Sequence, residues 1–513
     1  MALHRRHASQ VVAPVISHPR VLFASSEVAP FIKTGGLADV SASLPAALRA
    51  AGVDVRIVLP GYGSVLKQLT DHRVIAEARL SAGDIALLET HLPGTDVPVW
   101  LVQCSTLFDR EGGPYSQADG SPWPDNAQRF GVFCQAVAWL CRGGARRSAS
   151  TATRQEFLPD VVHLNDWQTG LAAAYLASDT TRPGIVFGIH NLAYQGLFGR
   201  AAFTQLGLPE HLWSMQALEF YGEMSFMKGG IAFADALVTV SPTYAQEIQT
   251  AALGNGLDGL LRERSAVLAG ILNGIANDEW NPATDPQIAA TYDANSLERK
   301  AFNTRALRNE LGLMHSDQPL IGCIGRLAYQ KGIDIVLEAA DALIADGMQL
   351  VVLGSGEQQY VDALTAAARR HPGRVAFSSK FDEGMAHRIE AGADLFLMPS
   401  RYEPSGLNQM YSMRYGTLPI VSRTGGLADT VEPIPMAGPQ AGTSGTGFVI
   451  DALSSDALRG AIQNAERLWL MRKRWRAAQQ RGMAKDFSWQ ASVGEYLHLY
   501  AAATTAATKA RSA

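Results

Sequence analysis

Arg326 and Lys331 stand five positions apart in G-R-L-A-Y-Q-K-G-I-D (325–334), just after a short apolar run. Two cations in a loop at the carboxyl end of a strand could neutralise a diphosphate leaving group. Taken alone they read better as solvated loop charges, and the motifs that follow change that weight. Glu403 lies in P-S-R-Y-E-P-S-G-L-N-Q-M-Y-S-M-R-Y-G (399–416), ahead of Pro404, Ser405 and Gly406 and a predicted helix. A carboxylate there either caps the helix or accepts hydrogen bonds from sugar hydroxyls. In the first half, H-L-N-D-W-Q-T-G (163–170) supplies Asp166, and G-I-H-N-L-A-Y-Q-G (188–196) supplies His190 and Asn191. Glu27 directly follows the apolar run 20–26. Polar residues at the ends of several parallel strands converge on one rim.

An internal repeat adds to this set. K-T-G-G-L-A-D-V (33–40) and R-T-G-G-L-A-D-T (423–430) share six consecutive residues, one copy in each half. A Thr-Gly-Gly turn at a helix start exposes backbone N–H groups, and its glycines permit close approach. The repeat is either a shared turn-and-cap solution or a pair of anion-binding turns, the second being Thr424, Gly425 and Gly426. No Asp-x-Asp, H-x-x-x-H, H-E-x-x-H, P-loop or G-x-S-x-G pattern occurs. Without Asp-x-Asp to hold a divalent metal, leaving-group charge would fall to Lys33, Arg326, Lys331 and the two turns.

These residues need a frame, and the hydrophobic pattern supplies one. Strands are predicted over 20–26, 53–60, 160–164, 184–190 and 235–241, with a helix through 38–52. The pattern restarts with strands over 320–325, 348–354, 374–379, 394–400 and 418–423. Strand, helix, strand within ~40 residues is a βαβ unit with a parallel sheet. Two clusters of such units read as two doubly wound α/β domains, 20–268 and 269–485, connected through the weakly patterned stretch 254–295. Loops are expected over 143–155 and 432–447, and a frayed tail over 501–513. Pro433 and Pro435 should limit any helix after the second T-G-G to a turn.

Composition narrows the class. The 513 residues are 47% hydrophobic and 18% charged, with a net charge of −4. That is globular, and it lacks the basic excess of nucleic-acid binders. No apolar run reaches the ~18 residues of a membrane span. Four cysteines (Cys104, Cys134, Cys141, Cys323) without C-x-x-C spacing argue against zinc or a disulfide framework and fit a reducing cytoplasm. Residues 1–19 carry Arg5, Arg6, His4, His7 and His18 and no acid. They are expected to form a disordered extension, although transit segments share this composition.

Taken in order, K-T-G-G-L-A-D-V, H-N-L-A-Y-Q-G, G-R-L-x-x-Q-K-G, E-P-x-G-L-x-Q-x-Y and R-T-G-G-L-A-D-T-V resemble the bacterial glycogen synthase and plastid starch synthase family. The likeness runs from about Arg20 to Tyr500 and includes L-N-G-I-A-N-D-E-W-N-P (272–282) and D-F-S-W-Q-A-S-V-G-E-Y-L-H-L-Y (486–500). It implies a GT-B fold, two Rossmann-like domains facing an interdomain cleft. The implied reaction is retaining, metal-independent transfer of glucose from ADP-glucose to the non-reducing end of an α-1,4-glucan, without cofactor. Carried over by position, Lys33 and the turn at Gly35 and Gly36 would lie at the donor phosphates, with Asp39 among the substrate-binding residues, while Arg326 and Lys331 hold the diphosphate. Glu403 would bind the donor glucose, with Ser405, Gly406, Leu407 and the second T-G-G turn beside it. His190 and Asn191 would contact the glucose, with Asp166 near the reacting sugar and Glu27 on the same rim. Phe381 matches a position where the family often has an aromatic beside the adenine. The helix 486–500 would pack back on the first domain.

Two positions bear on the likeness. Ser405 stands where the family commonly has Cys. Tyr411 occupies the place of a second Glu found in the wider retaining GT-B group, as this family tends to have. Other readings are a UDP-glucose or sucrose-type transferase of the same fold, or a catalytically silent glucan-binding protein.

Overall fold

The computed structural model describes residues 19–81, 83–148, 157–380 and 382–512. The N-terminal extension but for Pro19, and Phe381, lie outside the described residues. The anticipated loop 143–155 opens as a short helix, Gly144–Ser148, and its remainder also falls outside them.

The chain forms two compact units. The first comprises the described residues to Val238, with Ile248–Ala269 and Ser492 onward; the second comprises Thr239–Glu247 and Gly270–Ala491. The segment Thr239–Glu247 therefore belongs with the second unit, although the run of strand patterns assigns it to the first. Side-chain bonds decide this: Thr243 Oγ1 donates to Asp429 Oδ1 (2.6 Å) and Ser241 Oγ to the Pro404 carbonyl (2.7 Å).

Unit 1 contains strands β1 (Arg20–Ala24), β2 (Asp54–Pro60), β3 (Arg73–Leu80), β4 (Gly83–His91), β5 (Pro98–Gln103), β6 (Val161–Asn165) and β7 (Gly184–Ile189). The short strands β8 (Leu197–Phe198), β9 (Glu219–Phe220), β10 (Glu223–Ser225), β11 (Ala236–Thr239) and β12 (Leu268–Gly270) follow. Nine of them form one sheet in the order β12-β11-β7-β6-β1-β2-β5-β4-β3, while β8, β10 and β9 form a small antiparallel sheet. β1 pairs in parallel with both β2 and β6, so the strand order reverses at β1. Such a reversal opens a crevice at the carboxyl ends of the strands. β3, β4 and β5, which the hydrophobic pattern does not single out, add an antiparallel edge to this sheet. Short tight connections let the chain double back, whereas parallel pairs need a crossover.

Unit 2 holds β13 (Leu320–Ile324), β14 (Gln349–Leu353), β15 (Val375–Ser378), β16 (Leu395–Met398), β17 (Leu418–Ser422) and β18 (Phe448–Ile450). All run parallel in the order β15-β14-β13-β16-β17-β18. Alternate residues face two apolar layers. Ile321, Leu350 and Val352 join one core, and Leu320, Val351 and Leu353 the other. Burial on both faces explains why these strands read as continuous apolar runs.

The anticipated frayed tail is also corrected. One helix runs from Trp489 to Ser512, and Ala503 and Ala507 are buried. Tyr500 Oη shares a hydrogen bond with His163 Nδ1 (3.0 Å). A Cβ on Gly184 would lie 2.7 Å from the Ala503 carbonyl carbon, so the helix backbone rests directly on the start of β7. Among the described residues, no helix is long and apolar enough to cross a membrane.

Candidate functional site

In unit 1 the predicted residues follow three neighbouring strands. Glu27 follows β1, Asp166 follows β6, and His190 with Asn191 follows β7. Asp166 is buried and stands at the N-terminus of the helix Trp167–Leu176, with φ 59°. A non-glycine residue in this left-handed region is uncommon and is held by its surroundings. Here Oδ1 accepts from the backbone N–H groups of His190 (3.2 Å) and Asn191 (3.5 Å). Burial pushes the Asp166 carboxyl up to about 7, with those two N–H groups acting in the opposite direction.

His190 is set by a residue that the motif reading did not single out. Asn165 donates through Nδ2 to the Ala24 carbonyl (3.0 Å), which aims its Oδ1 at His190 Nε2 (2.9 Å). An amide oxygen only accepts, so the proton is on Nε2 and the neutral ring keeps its lone pair on Nδ1. Burial lowers the imidazole to about 4, so the ring is neutral near pH 7.

Glu27 is buried and does not stand alone. Its Oε2 accepts from the N–H groups of Thr34 and Gly35 (3.2 Å for the latter), and Tyr115 Oη donates to its Oε1. Tyr115 comes from an irregular stretch with no periodic signal, so its place on this carboxylate was not legible. Burial raises Glu27 and holds Tyr115 well above its ordinary value. Lys33 Nζ pairs with Asp39 Oδ1 across the first turn (2.8 Å). Gly36 opens the helix Gly36–Ala50, capped by Gly35 in extended conformation, and a Cβ on Gly35 would meet nothing within 4 Å.

In unit 2 the two charged segments meet. Lys331 Nζ lies 2.5 Å from Glu403 Oε2, which also accepts from Ser400 Oγ (3.0 Å). Glu403 is therefore not the cap of the helix Asn408–Arg414, whose N-cap is Leu407. Arg326 Nη2 donates to Gln330 Oε1 (3.2 Å), and Gln330 Nε2 donates to the Tyr402 carbonyl (3.1 Å). The loops after β13 and β16 are thus tied together. Gly332, between them, has φ 68°, and a Cβ there would lie 2.1 Å from the Pro399 carbonyl oxygen. Ser405 Oγ donates locally to the Gly406 carbonyl (3.3 Å).

The second T-G-G turn is seated on this same loop. Gly426 N–H donates to the Glu403 carbonyl (3.1 Å). Cβ atoms on Gly425 and Gly426 would lie 2.0 Å from the Glu403 carbonyl oxygen and 2.1 Å from that of Ser405. Both glycines are required by close backbone approach. Thr424 Oγ1 (2.9 Å) and Gly425 N–H (3.1 Å) donate to Glu247 Oε1, and burial raises that carboxyl. Each copy of the repeat thus holds a carboxylate of its own unit, Glu27 in the first and Glu247 in the second. Glu247 and Asp429 were absent from the sequence reading, because only folding brings 239–247 to this turn. Among the described residues, no three His, Cys, Asp or Glu side chains are grouped so as to hold a metal ion.

Comparison with known proteins agrees with this architecture. A family model described as the starch synthase catalytic domain matches residues 20–263, and one for group 1 glycosyl transferases matches 308–481. Glycogen synthase 1 of Methylococcus capsulatus is 48% identical over 487 residues, covering 94% of this chain and 96% of that protein. Glycogen synthase of Marinobacter nauticus is 49% identical over 485 residues, covering 94% and 97%. The catalytic domain of starch synthase IV from Arabidopsis thaliana, solved with ADP and acarbose, superposes with a TM-score of 0.83 at 32% identity, covering 95% of this chain and 100% of that one. Sucrose-phosphate synthase from Thermosynechococcus elongatus, at 18% identity and a TM-score of 0.56 over 94% and 98% of the two chains, shares the fold. The fold is GT-B, and the chain belongs to the bacterial glycogen synthase and starch synthase family.

Proposed function

We infer that this protein transfers glucose from ADP-glucose to the non-reducing end of an α-1,4-glucan, with retention of configuration and without a metal. The observation that carries the reading is the Lys331–Glu403 pair at the carboxyl end of the unit 2 sheet, with Arg326 in the adjoining loop. As the C1–O bond of the donor breaks, negative charge accumulates on ADP and positive charge on the anomeric carbon. Lys331 and Arg326 meet the first, and the buried Glu403 carboxylate favours the second. Groups that meet developing charge more closely in the transition state lower the barrier. Within unit 1, Lys33 is the cation read as serving the donor phosphates.

His190 and Asn191 hold the glucose, with Asp166 beside it. A neutral His190 places no repelling charge near the anomeric carbon. Retention is read as departure and attack on one face, with an ADP oxygen assisting deprotonation of the acceptor hydroxyl. Trapping a glucosyl adduct on a protein carboxylate would overturn that route.

The direct assay supplies ADP-glucose or UDP-glucose with a glycogen primer and a chelator, and measures glucose incorporated into polymer. Incorporation from ADP-glucose under chelation is expected. Incorporation from UDP-glucose alone would reassign the donor. Glucan binding without turnover from either donor would make this a silent glucan-binding member of the family.

A further inference from the structure

The chain's last helix reaches towards His190 through buried polar groups of unit 1. His163 and Asn165 stand two apart on β6, so both side chains leave the same face of the sheet. Tyr500, on the helix Trp489–Ser512, bonds through Oη to His163 Nδ1 (3.0 Å). Phe23 of β1 stands edge-on to the His163 ring, with centroids 4.8 Å apart, and Tyr496 packs beside it. Gly188 of β7 is the ladder partner of Asn165. A Cβ on Gly188 would lie 3.2 Å from His163 Nε2, 3.3 Å from Asn165 Oδ1 and 3.5 Å from His190 Nε2. Polar atoms of His163, Asn165 and His190 therefore gather over a residue that has no side chain of its own.

This geometry fixes the protons. Burial pushes the His163 imidazole down to about 3, with His190 adding to the effect, so the ring is neutral and carries one N–H. Among the described residues, Tyr500 Oη has no partner but His163. A buried phenol that accepted from Nδ1 would leave its own O–H unpaired, at a cost. Tyr500 thus donates, Nδ1 accepts, and the His163 proton is on Nε2. That nitrogen lies on the Gly188 side, with Asn165 Oδ1, the oxygen that accepts from His190 Nε2 (2.9 Å). A lone pair there would instead oppose the oxygen and favour the Asn165 amide turning its NH2 towards the rings. Asn165 could then no longer accept from His190, whose proton would move to Nδ1.

We propose that Tyr500 and His163 are positioning residues for His190, the last helix fixing its tautomer through the Asn165 amide. The proposal rests on the reading of His190 as a contact of the donor glucose. Tyr500 and His163 act through Asn165, and their effect falls on the step in which His190 meets the reacting sugar rather than on donor affinity.

The test compares the full-length protein with two variants. Tyr500→Phe keeps the ring and loses the hydroxyl. Ala503→Gly loosens the same helix and leaves the bond in place. In Tyr500→Phe, kcat from ADP-glucose onto glycogen is expected to fall about ten-fold, with KM for the donor held within about two-fold. In Ala503→Gly the melting temperature should fall and kcat should hold. Nitrogen NMR of the imidazoles without substrate gives a second readout, the His190 signal being identified by its loss in His190→Gln. Wild type and Ala503→Gly should show His190 protonated on Nε2, and Tyr500→Phe a mixture of tautomers. An unchanged His190 signal in Tyr500→Phe, or losses of kcat that follow the melting temperature alike in both variants, would overturn the proposal. The NMR arm needs no turnover, so failure of the transferase reading would appear separately, as absent incorporation by the wild-type protein.

Discussion

Asp166 carries the clearest tension at the scale of a single residue. It is buried, left-handed, and holds its proton to about pH 7 against an ordinary value of 3.8. Between these values the unfolded chain binds fewer protons than the folded one, so this group's contribution to stability falls as pH rises. His190 acts in the opposite sense. Its folded value near 4 lies below the ordinary 6.5, so its contribution rises with pH through that window. Replacing Asp166 by Asn removes only the first effect, and Asn keeps the side chain's size and its Oδ1 acceptor. The melting temperature of Asp166→Asn relative to wild type should therefore climb from about pH 4 to about pH 8, by an amount reflecting a few kcal/mol. Parallel melts across that range check this, and a constant offset would sink it. The roles of His190 and Asp166 could be suspected from H-N and N-D after apolar runs. Asn165, which selects the histidine tautomer, was not legible, because its partners Ala24 and His190 are distant in sequence.

At the scale of elements, the repeated T-G-G turn shows one motif used in two environments. Both copies follow a strand and start a helix, and both hold a carboxylate. Their glycines answer different demands. Gly35 is extended with open space at its Cβ, whereas Gly425 is left-handed (φ 43°) and pressed on the Glu403 carbonyl. Gly35→Ala should leave the melting temperature unchanged. Gly425→Ala must displace the loop that holds Glu403, so it should lower the melting temperature and cut kcat/KM for ADP-glucose about 10²-fold. Thermal melts and donor kinetics on the pair decide the matter, and equal melting temperatures would contradict it. Identical sequence could not separate these cases, because the difference lies in what packs against each turn.

At the scale of the whole molecule, the chain's last helix is part of the first unit's core. Tyr500, Ala503 and Ala507 are buried, and Tyr500 bonds to the neutral His163 at the centre of the unit 1 sheet. Removing residues 501–513 should destabilise the protein by about 1–3 kcal/mol, read as a lowered melting temperature. An unaltered melt would restore the frayed-tail reading. Ala and Thr give a weak apolar stripe, so their composition suggested a loose end. Only the surface at the start of β7, made accessible by Gly184, turns them into a packed face.

Two classes of feature separate here. The doubly wound architecture, the strands next to the site and the charged motifs followed from the chain itself. Buried parallel strands are local apolar runs, and ligand-facing residues come directly after them. The pairing of Lys331 with Glu403, the seating of Glu247 on the second turn, the Asn165–His190 bond and the assignment of 239–247 to the second unit were decided only in three dimensions. Each joins groups from different stretches of chain, and local pattern carries no information about which stretches meet. Charge and burial act through space, so the protonation states of Asp166 and His190 belong to this second class as well.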